Sequence, residues 1–189
     1  MAALQWTPDA KKVEWKAIPA SMLLTRAIAE EHTIGPGDEL FFPGLLVTHH
    51  GKNRNLPIIR AGTIAAMREE PVLTKAYGEI DAYLVEARSI GGLSGSPVFV
   101  NVGPGRGGIV IHEGPSFFLL GLMHGHYDSE LTDTDIALED EPRAGQVNMG
   151  IAIVIPAEKI REALDQEEFA AQRAVTDEAE RARLAAIPD

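Results

Sequence analysis

The middle of the chain consists of short apolar runs that glycine and proline interrupt at close intervals. Seven such runs occur, at residues 40–47, 58–66, 82–87, 96–100, 108–111, 117–123 and 147–155. Short strands separated by turn residues are typical of an antiparallel barrel or sandwich, because the gaps are too short for the helices that join parallel strands. The sequence therefore predicts an all-β fold over this part of the chain.

The two ends of the chain show helical patterns. Residues 20–32, ASMLLTRAIAEEH, fit either one short amphipathic helix or a strand and a turn. Residues 157–186 are rich in Ala, Glu and Arg and contain no Gly or Pro, which predicts a long helix with Ile160 and Leu164 packed on the barrel. The predicted organisation is a junction segment over 1–34, a β-barrel over 35–156 and a C-terminal helix over 157–189.

Composition narrows the classes of partner. The chain has 189 residues, of which 45% are hydrophobic, so it can bury one core. A formal net charge of -11 argues against nucleic acid and anionic membranes, since both would repel the protein. The sequence has no cysteine, no signal-peptide pattern and no apolar run of about 20 residues. We therefore expect a cytoplasmic protein without disulfides and without a membrane partner.

Two motifs that could bind a cofactor or a metal have simpler interpretations. GPGRGG at residues 103–108 precedes IVI rather than a helix, so it predicts a hairpin loop and not a nucleotide site. His124, His126 and Asp128 are spaced two apart and would share one face of a strand, where they could bind a divalent metal. Packing or substrate-lining roles are more common for such histidines. We expect no metal and no cofactor.

The segment GGLSGSPVFV, residues 91–100, places Ser94 among glycines directly before a strand. A serine hydroxyl is a poor nucleophile unless a base takes its proton and hydrogen-bond donors meet the developing oxyanion. Gly92 and Gly95 would allow the N–H groups of Gly92 and Ser94 to turn toward one point. Ser96 stands where a Gly-x-Ser-x-Gly elbow needs glycine, which excludes an α/β-hydrolase. A nucleophile loop and a plain glycine turn both remain open.

The same segment resembles the nucleophile loop of trypsin-like serine peptidases with the chymotrypsin fold. In the bacterial, disulfide-free members that loop reads Gly-Asn-Ser-Gly-Gly-Pro before a strand. The flanking segments AYLVEARSI, FFLLGLMHGH and NMGIAIVIPAEKI are similar to the strands around that loop. GDELFFPGLL and PIIRAGTIAAM are similar to the paired strands that open the second barrel, so the resemblance covers about residues 35–160. It implies the second of the two barrels of that fold, with six to seven antiparallel strands and a C-terminal helix.

The resemblance also implies roles for individual residues. Ser94 matches the nucleophile, and the amides of Gly92 and Ser94 match the oxyanion hole. Four consecutive residues match the segment that pairs with the substrate backbone, namely Leu122, Met123, His124 and Gly125. A peptide or protein substrate is the partner that this arrangement implies.

The family's histidine and aspartate belong to its first barrel and the junction, and this sequence departs from the family there. Only 93 residues precede Ser94, and about sixty of them match second-barrel strands. His32, His49 and His50 lack the family's Ala-Ala-His or Ala-Arg-His setting, and Glu14 stands where the junction carries aspartate. We expect the catalytic histidine, and the first barrel, to lie outside this sequence, and the chain alone to be inactive. A serine endopeptidase domain and a noncatalytic peptide-binding module are the two candidate functions.

Overall fold

The computed structural model describes residues 6, 8–9, 11–45, 51–74, 77–87, 93–103, 116–129 and 147–185. Within these residues the elements run in chain order as a 3-10 turn (Ala20–Met22), α1 (Arg26–Glu31), β1 (Glu39–Leu45), β2 (Pro57–Ala66), β3 (Val72–Thr74), β4 (Gly78–Ile80), β5 (Tyr83–Glu86), β6 (Pro97–Asn101), β7 (Phe117–Ser129), β8 (Val147–Pro156), α2 (Ala157–Leu164) and α3 (Glu167–Ala185). Six strands close into a barrel, and β3 and β4 form a separate two-stranded sheet. The predicted mainly-β barrel followed by helical structure after Pro156 is confirmed. The predicted strand over 108–111 lies outside the described residues.

The barrel strands follow the order β1-β2-β5-β8-β7-β6, and every neighbouring pair is antiparallel. Pairing of Leu40 with Val100 closes the ring between β1 and β6. β7 is the longest strand, and its pairing with β6 ends at Pro97 opposite Leu122, although β7 itself continues to Ser129. The C-terminal part of β7 therefore extends beyond β6.

The core is formed by alternate residues of the strands, as the pleat of a half-buried strand requires. On β1, Leu40 and Phe42 are at most 2% exposed, while Phe41 between them is only partly buried. Fully burying an aliphatic or aromatic side chain stabilises the fold by about 1.5–3 kcal/mol. The other strands contribute a matching set of buried side chains, namely Ile64, Val85, Val98, Val100, Leu120 and Val154.

The segment before β1 covers one end of the barrel and combines both structures that its sequence allowed. After the 3-10 turn, Leu23 forms a parallel bridge with Leu119 of β7. Thr25 then caps α1, because its side-chain oxygen accepts the N–H of Ile28 at 3.3 Å. Leu24 is 1% exposed and lies in the barrel core. A strand-like bridge and a helix thus share thirteen residues, 20–32.

Two helices stand where the sequence predicted one continuous helix. The interruption lies at residues 165–166, where Asp165 ends α2 and the carbonyl of Gln166 accepts the N–H of Ala170. Aspartate favours helix ends over helix interiors, and glutamates in the first turn of α3 favour a new N-terminus there. Ile160 packs against the buried cluster next to the barrel, whereas Leu164 is 39% exposed.

A charged cluster connects these helices to the barrel. The Arg68 side chain is 12% exposed and binds Asp81 at 2.9 Å as well as a carboxylate oxygen of Glu158. The other Glu158 oxygen accepts the N–H of Arg26 at 2.8 Å. The Arg68 guanidinium also lies over the Tyr83 ring, 5.5 Å from its centroid. One arginine therefore joins β2, β5 and α2, and Glu158 adds the start of α1.

Candidate functional site

Ser94 lies in a tight turn directly before β6, and its side chain is exposed. The N–H of Ser96 donates to the Leu93 carbonyl at 3.0 Å and closes the turn. Gly95 has φ +86°, a left-handed conformation that L side chains rarely adopt. Leu93 is 3% exposed and anchors the turn in the core, against Gly44, where a Cβ would collide with it. The buried Leu93 therefore fixes the turn so that the Ser94 side chain faces solvent.

The turn is hydrogen-bonded to β7. The N–H of Gly95 donates to the Met123 carbonyl at 2.7 Å, and the N–H of Met123 donates to the Ser96 carbonyl at 2.9 Å. The Ser94 hydroxyl donates to the carbonyl of His124 at 3.2 Å. The structure thus brings Ser94 together with the segment 122–125, which the resemblance implies as the segment that pairs with the substrate backbone.

A β-bulge occurs in β7 at this point. Met123 lies opposite Val154 of β8, but the next pair is Gly125 opposite Ile153, so His124 is an extra residue without a partner in the register. Bulges bend a strand and redirect the side chain of the inserted residue, and they are common beside functional sites. His124 consequently turns its carbonyl toward Ser94 while its half-buried ring lies against another part of the molecule.

An open strand edge begins at the bulge. Leu122 is the last β7 residue paired with β6, and Met123 already uses its N–H and carbonyl to bind the turn. Within the described residues no strand pairs with this side of β7 beyond Leu122. The Met123 side chain is 2% exposed, whereas the position of a Cβ at Gly125 is open, with no atom within 4 Å. Of the four predicted peptide-contacting residues, His124 and Gly125 therefore border the open edge.

Tyr77 contacts the site from outside the barrel. It lies between β3 and β4, and its ring centroid is 4.9 Å from that of His124 at an interplanar angle of 59°. The N–H of Tyr77 donates to Thr74 Oγ1 at 3.2 Å, and that hydroxyl donates to the Gly78 carbonyl at 2.9 Å. Tyr77 is nevertheless 66% exposed. The sequence does not point to Tyr77, because β3 and β4 are three residues each and too short to show the alternation of a strand.

The two described histidine side chains make other contacts. The ring of His32 packs against Phe118, with centroids 5.2 Å apart, and the ring of His124 packs against Tyr77. Among the histidines whose side chains the structure describes, none accepts the Ser94 hydroxyl. Three predicted or candidate residues lie outside the described residues, namely Gly92, His49 and His50. The structure does not describe the side chains of two others, His126 and Asp128.

Two surface cavities lie away from Ser94. One of about 630 Å³ follows β2 from Ile58 to Thr63, and one of about 710 Å³ lies at the barrel end between α1 and Arg68. Ser94 and residues 122–125 line neither of them. This separation is compatible with a peptide site, because an extended peptide binds along a strand edge and needs no enclosed cavity.

No protein-family model, curated protein or solved structure gives a significant match to the chain. The described part of the chain contains no group of three or more His, Cys, Asp or Glu side chains placed to hold a metal ion. Among the helices that the structure describes, none is both long and apolar enough to cross a membrane.

Proposed function

We propose that this chain is the serine-bearing barrel of a trypsin-like serine peptidase of the chymotrypsin type, with Ser94 as its nucleophile. The observation that carries the proposal is the position of Ser94. Its exposed hydroxyl lies on a turn that three hydrogen bonds join to β7, at the point where the β7 edge becomes open. A peptide added along that edge passes the hydroxyl, so the site combines a strand-pairing surface with a candidate nucleophile.

The order of the strands supports the type of barrel. The segments that resemble the family are consecutive barrel strands, since AYLVEARSI contains β5, the turn leads into β6, FFLLGLMHGH begins β7, and NMGIAIVIP lies within β8. β7 lies between β6 and β8, beside the turn that carries Ser94. These positions agree with those that the resemblance implies for the nucleophile loop and the strand lining the substrate cleft.

The proposed reaction is acyl transfer to Ser94 followed by hydrolysis. Ser94 Oγ attacks the peptide carbonyl carbon, a C–O bond forms, and the hydroxyl proton passes to a general base. The negative charge on the carbonyl oxygen is stabilised by the N–H groups of Gly92 and Ser94. Collapse breaks the C–N bond, the amine leaves with the proton from the base, and water then releases the acyl group by the same steps. In this proposal a histidine of a first barrel supplies the base.

A noncatalytic peptide-binding module is the second candidate, and one observation favours it. The Ser94 hydroxyl donates to the His124 carbonyl, and no described imidazole accepts it. A serine without a base is a weak nucleophile, because its proton has no acceptor of suitable basicity in the transition state. The open β7 edge would still bind peptides by backbone hydrogen bonds.

The experiment uses a fluorophosphonate probe and casein. The purified chain is tested alone and fused to a histidine-bearing first barrel of a trypsin-like peptidase. We expect labelling and cleavage only in the fusion. Ser94→Ala should abolish both, and Ser96→Ala, a change to the neighbouring serine of the same turn, should retain both.

Two other outcomes would each support a different function. A folded fusion that binds peptides but is neither labelled nor active would identify the noncatalytic module. Labelling of the chain alone that disappears in both Ser94→Ala and His124→Ala would make His124 the base and overturn the requirement for a first barrel.

A further inference from the structure

We propose that Tyr77 and His124 form a ring wall beside the open β7 edge that selects peptides carrying an aromatic or large aliphatic side chain at the position facing it. This inference rests on the proposed peptide-binding edge and names the class of peptide that the edge prefers. It assigns a specificity role to Tyr77, which lies outside the barrel.

Most of the Tyr77 ring is exposed to solvent. Large apolar side chains on the surface are common, but this one is 66% exposed although its ring already contacts His124. Its backbone is held by the Thr74 hydroxyl, so the ring projects from a hydrogen-bonded hairpin. Most of the ring surface therefore remains available to a ligand.

A peptide side chain on the open β7 edge would lie close to the rings of His124 and Tyr77. Residues directly opposite each other on antiparallel strands have Cβ atoms about 4.5–5.5 Å apart. A peptide residue opposite His124 on the open edge would therefore place a side chain on the same sheet face within contact of the His124 ring. The Tyr77 centroid is 4.9 Å from the His124 centroid, so a long or aromatic side chain that contacts the His124 ring is also within reach of the Tyr77 ring.

The rings of Tyr77 and His124 favour apolar and aromatic side chains over acidic ones. A peptide side chain that covers the Tyr77 ring removes apolar surface from water, and an aromatic one gains further from ring–ring contact. Ring faces carry negative potential and disfavour a carboxylate. The chain's net charge of -11 also repels acidic peptides. Glycine at this position would leave the wall uncovered.

The test measures peptide affinity without cleavage. In a Ser94→Ala background, the chain is titrated against fluorescein-labelled heptapeptides of Gly and Ala whose central residue is Phe, Leu, Gly or Asp, and binding is followed by fluorescence anisotropy. We expect the Phe and Leu peptides to bind about three- to tenfold tighter than the Gly peptide, as ring contact energies imply. The Asp peptide should bind weakest.

Three variants distinguish the loss of the Tyr77 ring contact from a general change in peptide affinity. Tyr77→Ala should reduce the preference for Phe over Gly to less than about twofold, because the ring contact is lost. Tyr77→Phe keeps the ring and should keep the preference. Leu73→Ala is the matched control, since Leu73 lies on the same hairpin and is 68% exposed, and it should change nothing.

The outcomes distinguish this inference from the proposed function. If the peptides bind but Tyr77→Ala weakens all of them equally, weakens none, or has the same effect as Leu73→Ala, the ring wall is overturned and the peptide-binding edge stands. A tighter Asp peptide also overturns the wall. If the folded chain binds no peptide of the set, both the edge and the wall are overturned.

Discussion

At the scale of single residues, glycines determine where Ser94 lies and how much space is open beside the β7 edge. Gly95 has φ +86°, and its N–H binds the Met123 carbonyl. Gly125 borders the open edge and has free space where a side chain would start. Gly121, on the same strand, faces the backbone of Ile155 so closely that a Cβ would collide with it. These three glycines therefore serve different purposes, and substitution should separate them.

Gly95→Ala should lower the free energy of unfolding by about 1–2 kcal/mol, the cost of the left-handed conformation for an L residue. No atom lies within 4 Å of the added Cβ, so conformational strain is the only expected cost. Equilibrium urea denaturation of the variant and of the unchanged chain measures the difference. An unchanged midpoint would show that the turn adopts another conformation in solution.

Gly125→Ala should change stability by less than about 0.5 kcal/mol, because the methyl group meets open space. It should nevertheless weaken peptide binding several-fold, since the same methyl group occupies the room where a peptide backbone approaches. Gly121→Ala is the control and should cost about 1–3 kcal/mol through overpacking against Ile155. Thermal unfolding and peptide titration of both variants give the comparison. Unimpaired binding by Gly125→Ala would place the peptide elsewhere.

At the scale of elements, Arg68 stabilises the barrel end, because its guanidinium binds Glu158 of α2 and Asp81, which lies between β4 and β5. Arg68 is 12% exposed, Glu158 27% and Asp81 42%, so solvent screens the Asp81 pair most. Because Glu158 also accepts the N–H of Arg26, loss of the cluster should loosen α1 and α2 together.

Arg68→Met should lower the free energy of unfolding by about 1–2 kcal/mol, less than for a fully buried pair because the carboxylates are partly exposed. Asp81→Asn keeps the Arg68–Glu158 contact and should cost less than about 0.5 kcal/mol, as exposed pairs usually do. Urea denaturation ranks the two variants. Equal losses would mean that Asp81, and not Glu158, supports the barrel end.

The length of each element largely decided whether the sequence could predict it. β1, β2 and β7 are long enough for apolar runs and flanking glycines to identify them, and glycines around Ser94 indicated the turn. β3 and β4 are too short to show alternation, so Tyr77 and its contact with His124 could not be predicted. The bulge at His124 depends on the register with β8, which the sequence of one strand does not specify.

At the scale of the whole molecule, the described side chains of the last helix, α3, are exposed except for the partly buried Phe169. Within the described residues, the side-chain hydrogen bonds and ion pair that join α3 to the preceding chain are those of Arg173 with Leu164 and Asp165 at the end of α2, both exposed. α2 differs, because Ala157 is fully buried and Ile160 packs beside the barrel. The stability of the barrel should therefore depend on α2 and not on α3.

A chain that ends after Asp165 should unfold within about 2 °C of the full chain, since the described side chains that it loses are exposed apart from the partly buried Phe169. A chain that ends after Pro156 is the control. It loses Ala157, Glu158 and Ile160, and should be destabilised by at least about 2 kcal/mol, the order of one buried aliphatic side chain. Scanning calorimetry compares the two truncations. A large fall for the first would reveal contacts of α3 that support the barrel.

The part of β7 that extends beyond β6 also affects the tendency of the protein to aggregate. A closed barrel has no free edges to template the addition of another chain, but residues 123–129, MHGHYDS, extend past the closure and contain neither lysine nor proline to discourage it. The proposed peptide-binding edge is then also the edge at which another copy of the chain could add. The protein should aggregate more slowly in concentrated solution when a peptide occupies this edge, so a bound peptide would keep the folded protein soluble.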